Sequence, residues 1–543
     1  MPKPLKKLMT SAFRRSVSFF ASKEGSMMNM FHSILFPRKE QHEEPREATA
    51  PDYFKDLNLD QIFAPILKAK EEFGLEEFLY TALHDPEVIV YRQDVMQELE
   101  NDELRSLLIR FSKTVYDLGR YMKTIREALT SNNSWDNNYL ARGRMLDYAE
   151  QYCVTVSALS SGLSGLTLRS TGLRNFAEYL SEYCASADYT ALRTHVRRLR
   201  DEFSTVEYCM LIKSGTIRVR KYEGQADHSR QIIASFEKFR QGDVKNYRQE
   251  LWEEPSAAHV EAAVLKMLAE LYKDIFADLN TFCSTYLYFD DQIILRFSRE
   301  IQFYLSWLNL IRPLREVGLP FTYPKLSNTS EPLYALDGFD LALAAIARDN
   351  IVTNDFVLNA PEHIIVVTGP NQGGKTTFAR AFGQIHHLAS LGVCVPARDA
   401  SLSLFDNILT HFPREEDLST LNGKLQDDLV RLHELLSKAT SKSVLIINEI
   451  FSSTTLSDAL SLGRHMMDSF SALGAPTMIV TFIDELASHG TNTVSMVSTV
   501  NEEDPTERTY RIVRNPPDGL AYAMHIVGKH GLTYEQLSRR LKK

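Results

Sequence analysis

Apolar residues recur every three or four positions over most of the segment from about residue 52 to about residue 315. The run Leu104, Leu107, Leu108, Phe111 and Val115 is an example. This spacing places the apolar side chains along one face of a helix. The pattern therefore predicts a long region that is mainly α-helical.

Two longer apolar runs, at residues 262–271 and 301–310, predict helices that pack against the rest of this region. Their aromatic residues, including Trp307, are interpreted as core rather than as a platform for stacking nucleic-acid bases. Pro313 and Pro320 then mark the passage to a pattern of alternating strands and helices that continues toward the C-terminus.

One part of the helical region has a strand pattern instead. Residues 208–213 and 216–222 predict a β-hairpin, with Ser214 and Gly215 as its turn. Basic side chains are concentrated on its second strand and on the helix before it, namely Arg218, Arg220 and Lys221 with Arg193, Arg197, Arg198 and Arg200. Such a cluster could contact phosphates. Acidic residues lie close by in the sequence, however, so an exposed surface of ion pairs is an equal alternative.

A glycine-rich segment follows the apolar run at residues 363–368, and residues 377–385 then have a helical pattern. The segment has the spacing G-x-x-x-x-G-K-T, in which glycines let the backbone approach phosphates and turn its N–H groups toward them. The lysine adds charge for the β and γ phosphates, the threonine hydroxyl suits Mg²⁺, and the helix N-terminus attracts anions. The segment predicts an ATP-binding site formed by Gly369, Pro370, Asn371, Gln372, Gly373, Gly374, Lys375, Thr376 and Thr377.

A second element of the same site is predicted at residues 443–449, an apolar strand that ends in Asn448 and Glu449. In phosphate-loop proteins this strand usually ends in an aspartate that organises Mg²⁺ and a glutamate that positions the attacking water. We therefore predict that Thr376 and Asn448 bind Mg²⁺ and that Glu449 is the catalytic base. Because an amide has no negative charge, the metal should be bound less firmly than by an aspartate.

Length and composition limit the remaining possibilities. A chain of 543 residues is too long for one core, and 44% hydrophobic with 24% charged residues is typical of folded soluble domains. The formal net charge of −9 restricts nucleic-acid contacts to local patches. Five scattered cysteines without a C-x-x-C pair suit a reducing cytoplasm and argue against a zinc site. No apolar stretch has the length of a membrane span.

The first 50 residues open with a basic stretch that contains Lys3, Lys6, Lys7, Arg14 and Arg15. The first acidic residue is Glu24. We predict a disordered extension, with an organelle presequence or a basic arm as the alternatives. Residues 37–45, rich in proline and charge, are expected to be the linker that ends this extension.

The C-terminal half resembles the ATPase domain of the MutS family. Its phosphate loop is similar to the family's T-G-P-N-M-G-G-K-S-T, and the sequence N-D-F-V-L at Asn354–Leu358 resembles the family's N-D-x-x-L lead-in. Further similarities follow in the family's order at residues 395–397, 405–408, 417–421, 448–455 and 519–532. In the first half, residues 81–95 are similar to a core segment of the family, which implies that the helical region is the family's core and lever arms.

The resemblance implies a homodimer in which the signature segment of one subunit completes the ATP site of the other. It assigns Ser419 as a γ-phosphate sensor that acts in trans, with a simple helix N-cap as the alternative. Phe482 stands where the family has a γ-phosphate-contacting histidine, and Asn448 replaces the family's aspartate, so we expect slow hydrolysis. The family's mismatch-recognition domain and a C-terminal nuclease module are not expected in this chain.

We therefore predict an α-helical core and lever region followed by an ABC-like P-loop α/β ATPase domain. The expected divisions are the basic extension at 1–50, the helical region at 51–320 and the ATPase domain at 321–543. The predicted function is an ATP-gated dimeric clamp on branched or distorted DNA, related to mismatch repair or recombination control. The alternative is an ATP-binding switch or scaffold with weak hydrolysis that acts on a protein or ribosomal partner.

Overall fold

The computed structural model describes residues 31–42, 46–47, 49–130, 138–213, 216–225, 255–327, 332–413, 423–451, 453–501, 507–517, 534 and 537–538. Within these residues a helical region comes first, and two β-sheets with their flanking helices follow. None of the helices in the described part of the chain is long and apolar enough to cross a membrane.

The first region consists of α1 (Lys39–His42), α2 (Tyr53–Asp56), α3 (Leu59–Ala69), α4 (Glu76–Tyr80), α5 (Pro86–Glu98), α6 (Asp102–Thr130), α7 (Tyr139–Ser164), α8 (Thr171–Ala185), α9 (Ala187–Ser204), α10 (Pro255–Leu271), α11 (Lys273–Thr285) and α12 (Gln292–Glu316). The long helices α6 and α7 pack along each other, and α12 packs on α6. Side chains of Asp85, Ser170 and Asp291 accept N–H groups at the first turns of α5, α8 and α12, which stabilises these helix starts. The predicted helical character of this region is confirmed.

Three local predictions can be compared with this region. The hairpin is confirmed as β1 (Tyr208–Lys213) and β2 (Thr216–Lys221), which pair antiparallel, whereas its predicted turn lies outside the described residues. Trp307 is fully buried in α12, as expected for a core residue. Pro313 does not mark the end of the region, because it lies inside α12, which continues to Glu316. A proline in the last turn removes one backbone hydrogen bond without stopping the helix.

The second region contains two sheets. The smaller sheet has the order β3 (Lys325–Ser327), β7 (Asp399–Ser403), β4 (Leu333–Gly338), β5 (Asn354–Leu358). The larger sheet has the order β12 (Arg508–Val513), β11 (Thr493–Val500), β6 (Ile364–Thr368), β10 (Thr477–Val480), β9 (Val444–Asn448), β8 (Ile408–His411). Its strands are parallel except for β12, which is antiparallel to β11. The helices of this region are α13 (Leu341–Ala347), α14 (Lys375–Ser390), α15 (Lys424–Lys438) and α16 (Leu456–Leu473).

The larger sheet is buried on both faces. Ile365 and Val367 of β6 belong to an apolar core that includes α14 and the helical region. Ile364 and Val366 of the same strand belong to a second core with residues of α15 and α16. Parallel sheets need such cover on both faces. The predicted α/β pattern is confirmed, while the finer ABC-like arrangement stays a prediction.

Helix α14 joins the two regions through polar contacts as well. Arg380 and Gln384 donate hydrogen bonds of 3.0 and 2.8 Å to backbone carbonyls at the end of α2. His387 lies 2.9 Å from a backbone carbonyl of α4. Their spacing of three and four residues places these side chains on one face of the helix. The helix that follows the glycine-rich loop is therefore fixed in the helical region along its length.

Residues 31–42 require a correction, because they are not part of a disordered extension. Their buried apolar residues are Phe31, Ile34, Leu35 and Phe36. The carboxylate of Glu300 in α12, itself buried, accepts hydrogen bonds of 2.8 Å from the Ser33 hydroxyl and 3.0 Å from the Ile34 N–H. The prediction was based on the basic charge of the N-terminus. It did not take into account a short apolar run that completes the core. Residues 1–30 lie outside the described residues.

Burial of His387 should make the protein sensitive to acid. Burial lowers its pKa from 6.5 to about 4, so between these values the unfolded chain binds a proton that the folded chain excludes. We expect the free energy of unfolding to be highest above about pH 6.5 and to fall, by up to roughly 3 kcal/mol for this group, as the pH decreases toward 4. Urea midpoints at about pH 5 and about pH 7.5 measure the effect.

The variant His387→Gln should reduce this pH dependence. His465→Gln is the matched control, because His465 is exposed on α16 and should leave the dependence unchanged. Equal midpoints for the wild-type protein at the two pH values would contradict the assignment.

Candidate nucleotide-binding site

The glycine-rich loop connects β6 to α14, in the position that its sequence predicts. β6 ends at Thr368 and α14 begins at Lys375, so residues 369–374 lie at the carboxyl edge of the parallel strands. Open α/β sheets form ligand sites at this edge. Gly369 and Gly374 have φ angles of 110° and 90°, which favour glycine. The first turn of α14 adds N–H groups that have no acceptor within the helix.

Strand β11 is in direct contact with the loop. The buried hydroxyl of Ser498 donates a 2.7 Å hydrogen bond to the Gly373 carbonyl. A Cβ atom at Gly373 would lie 2.2 Å from Ser498 Oγ, and one at Gly369 would lie 2.8 Å from the Ser498 carbonyl oxygen. The loop backbone thus lies directly on the strand, and this contact explains why two of its positions exclude a side chain.

Lys375, the first residue of α14, is a buried cation whose side chain contacts the loop. Its Nζ donates to the carbonyls of Gly369 and Pro370 at 2.8 and 2.9 Å, and lies 3.4 Å from Asn371 Oδ1. It forms no ion pair with a carboxylate in the part of the chain that the structure describes. Burial lowers its pKa, while the charge of Glu449 raises it. A buried ammonium with only neutral acceptors favours binding of an anion.

Thr376, Asn448 and Glu449 meet beside the lysine. Thr376 Oγ1 donates to Asn448 Oδ1 at 3.2 Å, and Asn448 is buried at the end of β9. Glu449 follows with a φ of 52°, and its backbone N–H donates to Val480 at the end of β10. Such a φ is uncommon for a residue with a side chain and is typical of functional positions. The three side chains predicted for the metal and for catalysis are therefore brought together at one sheet edge.

A cavity of about 440 Å³ opens beside the loop, within the range of roughly 300–1,000 Å³ that is usual for small-molecule sites. Its polar wall includes residues 372–377 and Glu449. Its apolar wall is formed by Phe339, Leu343, Ala347, Ile351 and Val352. Tyr510 also lines the cavity, and a Cβ atom at Gly374 would contact its ring at 3.7 Å. The cavity thus has both polar and apolar walls.

Other predicted residues occupy different positions. Gln372 and Thr377 line the cavity. The carbonyl of Asn371 accepts a 3.2 Å hydrogen bond from Arg508 Nε. Phe482 follows β10 with 47% of its surface exposed, and is not among the residues that line the cavity in the described part of the chain. Ser419 and its segment lie outside the described residues, so its role stays a prediction.

Several site residues were not found from the sequence. Ser498, Arg508 and Tyr510 come from β11 and β12, more than a hundred positions after the loop. They form no motif of fixed spacing with the loop. The pattern of apolar and polar residues in their strands gives no sign of a binding site. Asn354 was noticed as part of a resemblance, but without a role at the cavity, which it also lines.

Comparisons with known proteins agree with this architecture. Residues 365–533 match the family model of MutS domain V, which identifies the region that carries the loop. The DNA mismatch repair protein MutS of Thermosipho melanesiensis is 30% identical over 183 residues, 34% of this chain and 22% of that protein. The proteins of that name from Fervidobacterium nodosum and Shouchella clausii are 23% identical over 340 residues and 25% identical over 295 residues.

Residues 365–533 are therefore a domain similar to domain V of the MutS family. The two longer matches cover 62% and 52% of this chain, which is more than the second region alone, so each includes part of the helical region. They cover only 37% and 33% of the two relatives, so the chain spans less than half the length of the curated relatives that it matches.

Lys375→Ala should weaken ATP binding by at least about tenfold, because it removes the only charge that the loop itself supplies to the phosphates. The fold should remain intact, since a buried ammonium without a carboxylate partner contributes little to stability. Titration with a fluorescent ATP analogue, together with thermal unfolding of the nucleotide-free protein, measures both effects. Lys442→Ala, at an exposed lysine of the same region, is the control. Unchanged ATP affinity in the Lys375 variant would exclude this loop as the site.

Proposed function

We propose that the chain binds ATP with Mg²⁺, hydrolyses it slowly, and uses ATP occupancy to control a dimeric clamp on DNA. The observation that carries the proposal is the cluster at the carboxyl edge of the larger sheet. There the buried Lys375 lies beside the Thr376–Asn448 pair and Glu449. The names of the relatives, DNA mismatch repair protein MutS, support the DNA-related part of the proposal.

In the proposed complex the triphosphate lies on the loop. Its negative charge would replace the neutral carbonyls that now accept hydrogen bonds from Lys375. The first turn of α14 directs its N–H groups and positive dipole end at the same anion. The base would then lie in the same cavity, against the ring of Tyr510.

The donor set fits magnesium. Thr376 and Asn448 present a hydroxyl and an amide oxygen 3.2 Å apart, and Mg²⁺ prefers oxygen ligands. Among the described residues there is no group of three or more His, Cys, Asp and Glu side chains that could hold a metal. Magnesium bound mainly through phosphates and water needs no such group. The ion would neutralise charge on the phosphates.

Glu449 is the residue proposed to orient the attacking water, because it lines the cavity beside Lys375. Asn448 lacks the charge that would attract the metal strongly. The proposed turnover is therefore slow, which suits a protein whose ATP-bound state has to persist while it acts on a partner.

Asn448→Asp should raise Mg²⁺-dependent phosphate release several-fold, since it places a carboxylate next to the Thr376 hydroxyl. Glu449→Gln should lower it by about 100-fold, because the amide cannot accept a proton from water. Steady-state phosphate release measures both, with Glu434→Gln on the exposed face of α15 as the control. Full turnover in Glu449→Gln would mean that another group positions the water.

The hairpin β1–β2 is the surface proposed to contact DNA. Ile217 and Val219 are partly buried against the helical core, which turns Arg218 and Arg220 outward. Neither arginine forms an ion pair with any residue that the structure describes. By contrast, Arg198 on α9 lies 2.6 Å from the Asp278 carboxylate. Of the basic residues noted in the sequence, the hairpin arginines therefore fit phosphate contacts and Arg198 fits the alternative of an ion-paired surface.

The dimer and the trans role of Ser419 remain part of this proposal. The alternative function, a switch or scaffold for a protein or ribosomal partner, is favoured by one observation. Phe482 presents an exposed apolar ring two residues after β10, and an apolar ring is better suited to contact another protein than to contact phosphate.

The double variant Arg218→Ala/Arg220→Ala should weaken DNA binding and reduce the slope of log affinity against log salt by about 2, one unit for each lost phosphate contact. Binding of a branched duplex, measured over a range of salt with and without ATP, gives the slope. Arg198→Ala should leave the slope unchanged, because its charge is already paired. If the wild-type protein binds no DNA at low salt, the switch or scaffold is the better interpretation.

A further inference from the structure

Asn354 lines the cavity and links the two sheets. It is the first residue of β5, in the smaller sheet, and its side chain reaches β12 of the larger sheet. Its Nδ2 donates a 3.1 Å hydrogen bond to the Tyr510 carbonyl. Its Oδ1 accepts a 2.7 Å hydrogen bond from the Ile512 N–H. One amide group therefore holds the backbone on both sides of residue 511.

The backbone at this point is irregular. Ser498 pairs with Ile512 and Val500 pairs with Arg508, so β12 has more residues than β11 between the two pairs. Such a bulge bends the strand and redirects a side chain. Tyr510 lies within it with a φ of 57°, a conformation that disfavours residues with a side chain by about 1 kcal/mol or more. Residues keep such a conformation only where their surroundings fix it.

We propose that Asn354 is a positioning residue for the nucleotide base, which acts by holding Tyr510 over the loop. This inference rests on the proposed ATP-binding function. The contacts of Asn354 replace pairing that the bulge interrupts, and a second contact, from Arg511 Nη1 to the Thr353 carbonyl at 3.0 Å, ties the same bulge to the strand. The held ring lies next to Gly374.

The chemistry of the position requires an amide. A single planar group has to donate to one backbone carbonyl and accept from one backbone N–H, and among side chains of this length only asparagine does both. Aspartate keeps the acceptor for Ile512 but loses the donor to Tyr510. The base, rather than the phosphates, is the part of the ligand that this position would control, because Tyr510 offers an aromatic ring and no charge.

The test compares a ligand with a base and a ligand without one. ATP and inorganic tripolyphosphate are titrated against the full chain, the latter by competition with a fluorescent ATP analogue. In Asn354→Ala we expect ATP to bind about tenfold more weakly, since two hydrogen bonds are lost, and tripolyphosphate to bind as in the wild type. Asn354→Asp is the second variant, for use if the alanine variant does not fold. Its added charge affects both ligands, so the ratio of the ATP and tripolyphosphate affinities is compared with that of the wild type.

Two controls locate the effect. Asn359→Asp, at an exposed residue just after the other end of β5, should change neither affinity. In a Tyr510→Ala background, Asn354→Ala should have no further effect on ATP, because the residue acts through Tyr510.

The outcomes separate the inference from the function on which it rests. Equal weakening of ATP and tripolyphosphate, or an undiminished effect in the Tyr510→Ala background, would overturn the positioning role while ATP binding stands. Unchanged ATP affinity in a folded Asn354 variant would do the same. Failure of the wild-type chain to bind either ligand would overturn both.

Discussion

The packing of α14 in the helical region is the constraint on which the rest of the structure depends. Its N-terminal end closes the glycine-rich loop, its side is bonded to α2 and α4, and its C-terminal end meets α5. At that last contact the buried Arg92 donates a 3.1 Å hydrogen bond to the Leu391 carbonyl. Gly392 follows with a φ of 75°, where a Cβ atom would lie 2.7 Å from Arg92 Cβ. A helix fixed at both ends and along its side moves only together with its neighbours. In the proposed function, this packing is the route by which a ligand on the loop would act on the helical region.

Two buried cations, Arg92 and Lys375, have different surroundings. Arg92 lies between the rings of Phe36 and Phe303 and donates to two backbone carbonyls, so its partners are fixed by the fold. Lys375 also donates to carbonyls, but these belong to a loop that borders a cavity. The first arrangement is structural, because nothing can reach the charge. The second is open to exchange of its partners for an anion.

The sequence predicted the parts of the site that lie in one continuous stretch. Strand, loop and helix around Lys375 follow from apolar runs and glycine spacing, and the end of β9 follows from its buried strand. The contact between Asn354 and Tyr510 joins residues 156 positions apart. A periodic pattern within a short segment cannot indicate such a contact. Tyr510 also depends on a bulge, which arises from the pairing of two strands and leaves no mark on the alternation of either.

The error at the N-terminus has a similar origin. Net charge and proline content describe an average over many residues, whereas a few apolar side chains and hydrogen bonds decide where residues 31–36 lie. Their partner, Glu300, is too distant in the sequence to be part of any pattern read from a short segment. Prediction therefore succeeded for elements and for the loop, and failed where a short segment is held by contacts that are remote in the sequence.

These contacts with α12 also set an order of events during synthesis on the ribosome. Ser33 and Ile34 are bonded to a carboxylate 267 and 266 positions later in the chain. At about 5–20 residues per second the segment is translated roughly 15–50 s before its partner. Its contacts with α12 remain unformed through that interval, which is a period of exposure to aggregation or to chaperone binding. A segment made early is thus completed only when α12 has been made.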